Sequence, residues 1–421
     1  MFLTGFYHFL KYLCLFLDWL FYEKSTTIGK QFFNLKRPCI VVANHPNTLL
    51  DPVNIVIRLP QKNHFLGNAG LFANPFTDWL FRNLWTIPIK RQQDKVNHVK
   101  NSDSFKQCDE FLLGGGCLFI APEGSSWQER HLREIKTGTA RIALSVESKS
   151  NFELGLTIQP FGQTYTRQGH FWSRLFIEGV APIQVADFKE IFEKDYETAV
   201  SAITKEIEIR LRSAMIDTED AAQDILLARC EKLLIGEKIY SDEASFRQSQ
   251  QLLEKLKALK KGSFQEYENL QNAVNQFFIK LKKEGASYEG LMKKHNIIFL
   301  LLCFPLFLIG SASNVLPFLC TYFIWKKATP NGYDATVQYA GGLILFSIFY
   351  TVQKNILQSY GIDFPFFGIA YWLFAIIGGA FALRYFIDLR HYFEYLGVKN
   401  KQYFFEERER LKTIISTLHN S

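Results

Sequence analysis

The chain has 421 residues, enough for two or three domains, and a formal net charge of +7 spread over interspersed acids and bases. That balance excludes the charge density of a dedicated nucleic-acid binder. Forty phenylalanines and eighteen tyrosines exceed what a soluble core needs and point to a bilayer or an acyl chain as neighbour.

Residues 1–22 are aromatic and apolar, with Lys11 and Asp18 as the only full charges. They have no basic start and no small-residue cleavage site, so the expectation is not a secretory signal. It is a helix lying on or dipping into a membrane, within an N-terminal segment 1–34. From 35 to 185 strand-like and helix-like patterns alternate. Strands are predicted at 38–43, 64–66, 84–90, 116–121, 154–161 and 174–178. Helices are predicted at 47–58, 76–83, 99–113 and 137–146. This is an α/β pattern with a mostly parallel sheet flanked by helices.

Residues 186–294 turn charged and helical, with apolar spacing over 188–215, 221–235, 243–261 and 264–283. The stripe Leu252, Leu253, Leu256 and Leu259 reads as a packing face. A transmembrane region is expected over 295–394, with apolar runs at 297–310, 315–325, 340–352 and 364–387. Only the last run exceeds the ~20 residues that cross a bilayer. The first two, separated by Ser311-Ala312-Ser313-Asn314, fit one long tilted span or a hairpin. Lys280, Lys282, Lys283, Lys293 and Lys294 place the preceding side in the cytosol. A charged tail, 395–421, follows.

The seven cysteines have neither metal-ligand spacing nor an even framework, and the nine histidines are scattered. The expectation is buried, reduced thiols and no metal site.

The apolar run Cys39–Ala43 breaks into a turn that holds His45 and, six residues on, Asp51. Histidine is the commonest general base, because its pKa lies near the working pH. A carboxylate on its far nitrogen fixes the tautomer and stabilises the imidazolium. No serine or cysteine nucleophile motif accompanies the pair. The natural reading is a dyad that deprotonates a hydroxyl of the substrate. On a regular helix six residues turn 600°, which leaves the two side chains about 120° from a shared face. They can meet only if His45 sits in the turn before the helix, with Pro46 at the entry and Asn47 or Thr48 as a cap.

Four stretches stand in a recognisable order: Asn44-His45-(five residues)-Asp51-Pro52, Ile87-Pro88-Ile89-Lys90-Arg91, Phe119-Ile120-Ala121-Pro122-Glu123-Gly124-Ser125-Ser126, and Ile158-Gln159-Pro160-Phe161. The order resembles the glycerolipid acyltransferase family over residues 35–185. The family's usual first motif has four residues between histidine and aspartate. The five found here are similar to the fungal-type glycerol-3-phosphate/dihydroxyacetone-phosphate acyltransferase branch. The second motif also lacks the family's leading glycine, with Leu84 and Trp85 in its place.

The resemblance implies the family's sheet with these motifs at its carboxyl edge, and transfer of a fatty acyl group from acyl-CoA or acyl-carrier protein. The acceptor it implies is the sn-1 hydroxyl of glycerol 3-phosphate, or dihydroxyacetone phosphate; the sn-2 hydroxyl of 1-acylglycerol 3-phosphate is the alternative. His45 and Asp51 would be catalytic. Arg91, Glu123, Gly124 and Ser125, with Lys90 and Lys136 as helpers, would hold the acceptor phosphate, arginine being suited to bidentate contact. Glu123 would orient Arg91 or a substrate hydroxyl. Trp79, Phe81, Trp85, Phe171 and Trp172 would line an acyl groove or else belong to the core. The partners expected are the glycerol phosphate acceptor, the acyl thioester donor and the lipid bilayer, with no nucleic acid and no bound cofactor.

The expected location is a membrane with the site on the cytosolic face, either the bacterial inner membrane or, in a eukaryote, the endoplasmic reticulum. Two other classes are weighed: a catalytically silent lipid-binding scaffold, and a transporter, which the lack of paired ionisable residues at mid-depth disfavours.

Overall fold

The structure is a computed structural model that describes residues 2–91, 99–328 and 333–420. It divides into two compact units: Met1–Glu219 with Asn331–Ala335, and Asp220–Pro330 with Thr336–Ser421.

In the first unit, apolar and β-branched runs bounded by Pro, Gly or Asn give an eight-stranded sheet. The strands are β1 (Lys24–Ile28), β2 (Cys39–Ala43), β3 (Asn63–Asn68), β4 (Thr86–Ile89), β5 (Cys117–Ile120), β6 (Thr157–Tyr165), β7 (Arg174–Gly179) and β8 (Ile183–Gln184). Their order is β1-β7-β6-β2-β5-β3-β4, with β8 beside β6. The central pairs β6–β2, β2–β5, β5–β3 and β3–β4 are parallel, and β6 pairs antiparallel with β7 and β8. All of β2 is buried, as parallel strands covered on both faces are. The carboxyl ends of β2, β4 and β5 therefore share one edge, and each is followed by one of the motifs.

Two strands had no signal in the sequence. Strand β1, Lys-Ser-Thr-Thr-Ile, reads as a polar linker, yet it pairs in parallel with β7 inside the segment expected to be only a membrane-associated helix. Strand β8 is two residues long. Strand β6 also runs to Tyr165 rather than ending at Phe161, because β7 pairs with it from Phe161 to Tyr165.

The helices of this unit are α1 (Phe2–Phe21), α2 (Leu50–Val56), α3 (Pro75–Asn83), α4 (Asn101–Leu113), α5 (Gly138–Lys149), α6 (Lys189–Lys194) and α7 (Tyr196–Ser213). Helix α2 starts three residues later than predicted. Thr48 has φ of 45°, which interrupts a right-handed path, and the Asn47 N–H is bonded to the Asp51 carboxylate. The single helix predicted over 188–215 breaks at Asp195, whose carboxylate caps α7 by accepting from the Thr198 N–H at 2.7 Å. Ala199, Val200, Ile203, Ile207 and Leu211 of α7 join Ile40, Leu118, Leu144 and Ile158 in one core, so this helix packs with the sheet.

Helix α1 buries Tyr7 and Phe21 and leaves Phe6, Phe9, Tyr12, Phe16 and Trp19 exposed at helical spacing. The Tyr7 hydroxyl accepts from the Asn63 N–H at 3.1 Å, and Lys11 donates to the Leu59 carbonyl.

The second unit is helical. Ala221–Leu234, Glu243–Gly262 and Phe264–Lys283 match prediction to within a residue, and Leu252, Leu253 and Leu256 are buried. The tail beyond Lys401 is a further helix, Lys401–Asn420. It packs Phe404 against Phe277 at 5.8 Å and bonds Arg408 to the Tyr288 hydroxyl.

Among the described residues, three helices are long and apolar enough to cross a bilayer: Phe304–Lys327, Asp334–Ser359 and Phe367–Gly397. At 24, 26 and 31 residues, all three exceed the apolar runs that predicted them. The Ser311–Asn314 break stays helical. Pro317 cannot donate to the Ser313 carbonyl; Gln353 donates to it instead at 3.2 Å. Asn314 bonds the carbonyls of Gly310 and Ala375 and accepts from Tyr350, tying the three helices together.

Gly162 of β6 lies directly under the end of α7: a Cβ there would sit 2.1 Å from the Ala214 carbonyl oxygen. Gly162→Ala is expected to destabilise the full-length protein by about 1–3 kcal/mol. Denaturant unfolding of the two proteins measures it.

Candidate active site

Strand β2 ends at Ala43, and the chain leaves the sheet in a non-helical turn that carries Asn44, His45, Pro46, Asn47 and Thr48. His45 stands in that turn and Asp51 in the first turn of α2, so the five-residue spacer brings the two together. Nδ1 of His45 lies 3.1 Å from Oδ2 of Asp51; the side chains are 18% and 0% exposed. The contact is close but lies off the ring N–H direction. Because Nδ1 is buried, the Nε2 side is the open edge of the ring.

Asp51 has no access to water, so its charge rests on protein donors. Oδ2 accepts from the Asn47 N–H at 2.6 Å, and Oδ1 accepts from the Tyr165 hydroxyl at 2.7 Å. Asn44 clamps the turn to β6: its amide donates to the Gln163 carbonyl at 2.8 Å and accepts from the Gln163 N–H at 2.7 Å. Asn47 accepts from the Gly169 N–H at 2.6 Å. Burial pushes the Tyr165 phenol well above its ordinary value, and nearby Asp51 adds to the shift, so Tyr165 is a donor at any working pH.

Glu123 follows β5 and is buried. One oxygen accepts from the His45 N–H at 2.7 Å and the other from the Arg133 N–H at 3.0 Å. Both oxygens are thus occupied by main chain, and the carboxylate staples the His45 turn to the 123–133 loop. Burial raises its pKa, and the two N–H donors and nearby His45 oppose that rise. A second link joins the loops: the Thr48 N–H donates to the Ser126 hydroxyl at 3.0 Å.

Arg91, just past β4, donates to the Gly124 carbonyl at 3.0 Å, which brings the second and third motifs together. Gly124 has φ of 72°, and a Cβ there would meet little beyond the Lys136 side chain at 3.8 Å; backbone conformation, not space, is what calls for glycine. Ser125 accepts from the Trp127 indole at 3.0 Å. The Lys90 main chain is bracketed by the Asn101 amide at 2.9 Å on both sides. Lys136 donates its N–H to the Pro122 carbonyl at 2.8 Å, and its exposed ammonium pairs with Glu134. The contacts therefore unite His45, Asp51 and Glu123 in one cluster and Arg91 with Gly124 beside it. Ser125, Lys90 and Lys136 border that cluster through main chain or local partners.

Residues 24–163, about a third of the chain, match the Acyltransferase family model. That stretch is an acyltransferase family-model domain, and it is similar to glycerolipid acyltransferases. A chloroplastic 1-acyl-sn-glycerol-3-phosphate acyltransferase from Brassica napus is 28% identical over 106 residues, 25% of this chain and 29% of that protein. Glycerol-3-phosphate O-acyltransferase 2 from Saccharomyces cerevisiae is 25% identical over 202 residues, 44% of this chain and 27% of that protein. The matched stretches thus span less than a third of either curated relative. The crystal structure of an acyltransferase for 1-acyl-sn-glycerophosphate from Thermotoga maritima is 18% identical, with a TM-score of 0.32, covering 50% of this chain and 90% of that one.

The acyltransferase domain also holds residues that motif reading missed. Asn44, Gln163 and Tyr165 hold the dyad, and Ser126 rather than Ser125 bonds the His45 turn. Only Asn44 had a sequence cue, its place beside the histidine. Of the aromatics considered for an acyl groove, Trp79 is exposed, while Trp85 packs edge-on against Tyr7 and Phe171 against Phe21.

Glu123→Ala would leave the His45 and Arg133 N–H groups without their acceptor, at about 1–3 kcal/mol for each orphaned buried donor. The expected result is a protein less stable in denaturant unfolding.

Proposed function

We propose that the protein is a membrane-bound O-acyltransferase that moves a fatty acyl group from acyl-CoA or acyl-carrier protein to the sn-1 hydroxyl of glycerol 3-phosphate. The observation that carries this reading is the His45–Asp51 pair at the carboxyl end of β2, with Arg91 held against the Gly124 loop at the same edge. Nε2 of His45 takes the proton of the acceptor hydroxyl as its oxygen attacks the thioester carbonyl. The C–S bond then breaks, and the imidazolium returns the proton to the leaving thiolate. Asp51 stabilises the imidazolium between these steps. Arg91 and the N–H groups of the Gly124 turn are suited to the acceptor phosphate.

The yeast relative's named activity supports the sn-1 acceptor, and the plant relative's supports the sn-2 hydroxyl of 1-acylglycerol 3-phosphate as the second reading. The three long apolar helices support a bilayer as host. The lysines ahead of the first of them favour a cytosolic site, on a bacterial inner membrane or the endoplasmic reticulum.

Purified full-length protein, given labelled palmitoyl-CoA and each acceptor in turn, separates the readings. Turnover with glycerol 3-phosphate is expected; its absence, with turnover on the monoacylated acceptor, selects the second reading. In the same assay His45→Ala should lower turnover by about 10²–10⁴-fold. Wild-type rates in that variant would remove His45 from the chemical step, and no turnover with either acceptor in the wild-type protein would favour a lipid-binding scaffold. Arg91→Ala should raise the acceptor KM by more than about tenfold, as loss of a charge-assisted contact does. An unchanged KM removes Arg91 from the phosphate site.

A further inference from the structure

We propose that Tyr165 is the positioning residue of the His45–Asp51 pair: its hydroxyl, donated to Oδ1 of Asp51, fixes the carboxylate's rotation so that Oδ2 stays on Nδ1 of His45. The kinetic part of this inference rests on the acyltransferase reading; the structural part does not. Tyr165 lies two residues beyond the stretch that matches the family model, and 114 residues from Asp51.

Register puts it there. Strand β6 runs parallel to β2 with Phe161 opposite Ala43. Because β6 continues four residues further, Gln163 and Tyr165 extend past the end of β2, beneath the turn that carries His45. The two-residue period places Phe161, Gln163 and Tyr165 on the same face. All three are buried.

A tyrosine with no exposed surface needs a partner for its hydroxyl, or phenylalanine would serve the packing as well. Two acceptors are within reach: Oδ1 of Asp51 at 2.7 Å and Oε1 of Gln163 at 3.2 Å. The choice is set from behind. The Asn54 amide donates to the Tyr165 oxygen at 2.9 Å and to the Tyr22 hydroxyl at 3.1 Å. With a lone pair so occupied, the phenolic proton goes to the nearer acceptor, which is also the charged one. Asn54 is itself held, because its carbonyl accepts from Arg58, which pairs with Asp18 at 2.8 Å.

Among the described residues Tyr165 is the only donor to Oδ1 of Asp51. The Asn47 N–H and the His45 ring both lie on Oδ2. Without the phenol, Oδ1 has no donor and no water, and the carboxylate is free to rotate toward other donors. The titratable and charged groups around the pair are Glu123 after β5, Tyr165 on β6, Tyr22 and Asp18 at the end of α1, and Arg58 after α2.

The test is Tyr165→Phe in the full-length protein, with the His45 imidazole titrated by NMR on ¹³C-labelled histidine. Without the phenol the carboxylate rotates off Nδ1, so the imidazolium loses its partner and the His45 midpoint should fall by about one pH unit. In the acyl-transfer assay kcat should fall about ten- to a hundred-fold. The acceptor KM should stay within about twofold, and the acid limb of kcat/KM should move down with the NMR midpoint. Asn54→Ala, which frees the phenol to turn toward Gln163, should shift the midpoint the same way by less, and it decides the matter if Tyr165→Phe does not fold.

A folded Tyr165→Phe protein whose His45 titrates as in wild type overturns the proposal. Wild-type protein inert with every acceptor, or His45→Ala with full turnover, instead overturns the functional reading and leaves the titration to decide the role of Tyr165.

Discussion

A carboxylate without solvent must be surrounded by donors, and Asp51 is the group around which this domain is arranged. Its oxygens meet a main-chain N–H from the turn before α2, a phenol from the far end of β6, and the histidine ring. Each contact constrains something larger. The Asn47 N–H holds the turn out of the helix. The phenol requires β6 to run past its neighbour, which the antiparallel partner β7 makes possible. The close approach of Gly162 to the end of α7 anchors that extension from the opposite side. The dyad is thus a property of the sheet's register as much as of the motif that names it.

The parallel order of the central strands explains why motifs distant in sequence meet. Successive parallel strands return the chain to the same edge, so the segments after β2, β4 and β5 all begin there. Glu123 then closes the arrangement. A carboxylate at an anion site would repel its ligand if it pointed at it; here both of its oxygens are turned to main-chain donors 78 residues and 10 residues away. That removes the apparent conflict between an acidic residue and the proposed phosphate site, in which Arg91 is the proposed cation.

What the sequence revealed follows from which interactions are local. Strands such as Cys39–Ala43 and Cys117–Ile120 announce themselves by uninterrupted apolar runs, because burial on both faces demands them. The His45–Asp51 pair was legible because its members are only six residues apart. Strand β1 was not, since an edge strand tolerates Lys, Ser and Thr and gains its place only from β7. Tyr165 and Gln163 were invisible for the same reason: their partners are more than a hundred residues away, and Gly162 before them reads as a turn. The Ser311–Asn314 segment looked like a break because three of its four residues are polar, but in the folded helices Asn314 bonds the Gly310 and Ala375 carbonyls and the Tyr350 hydroxyl, and Gln353 meets the Ser313 carbonyl that Pro317 leaves open. Local chemistry predicts elements well where the burial is symmetric, and poorly where a distant partner decides.

The five-residue spacer illustrates the difference. On a continuous helix neither it nor the family's four-residue spacing would bring the pair together, because five steps leave about 140° and six steps about 120° between the two side chains. Here the added length falls in a turn that includes a left-handed residue, Thr48, and whose main chain is held by Asp51, Glu123 and Ser126. A turn fixed by external acceptors can absorb a residue without displacing its ends, because the acceptors and not the helical repeat set where the ends lie. What holds this site together is the set of donors on the buried carboxylate rather than a helical repeat between histidine and aspartate.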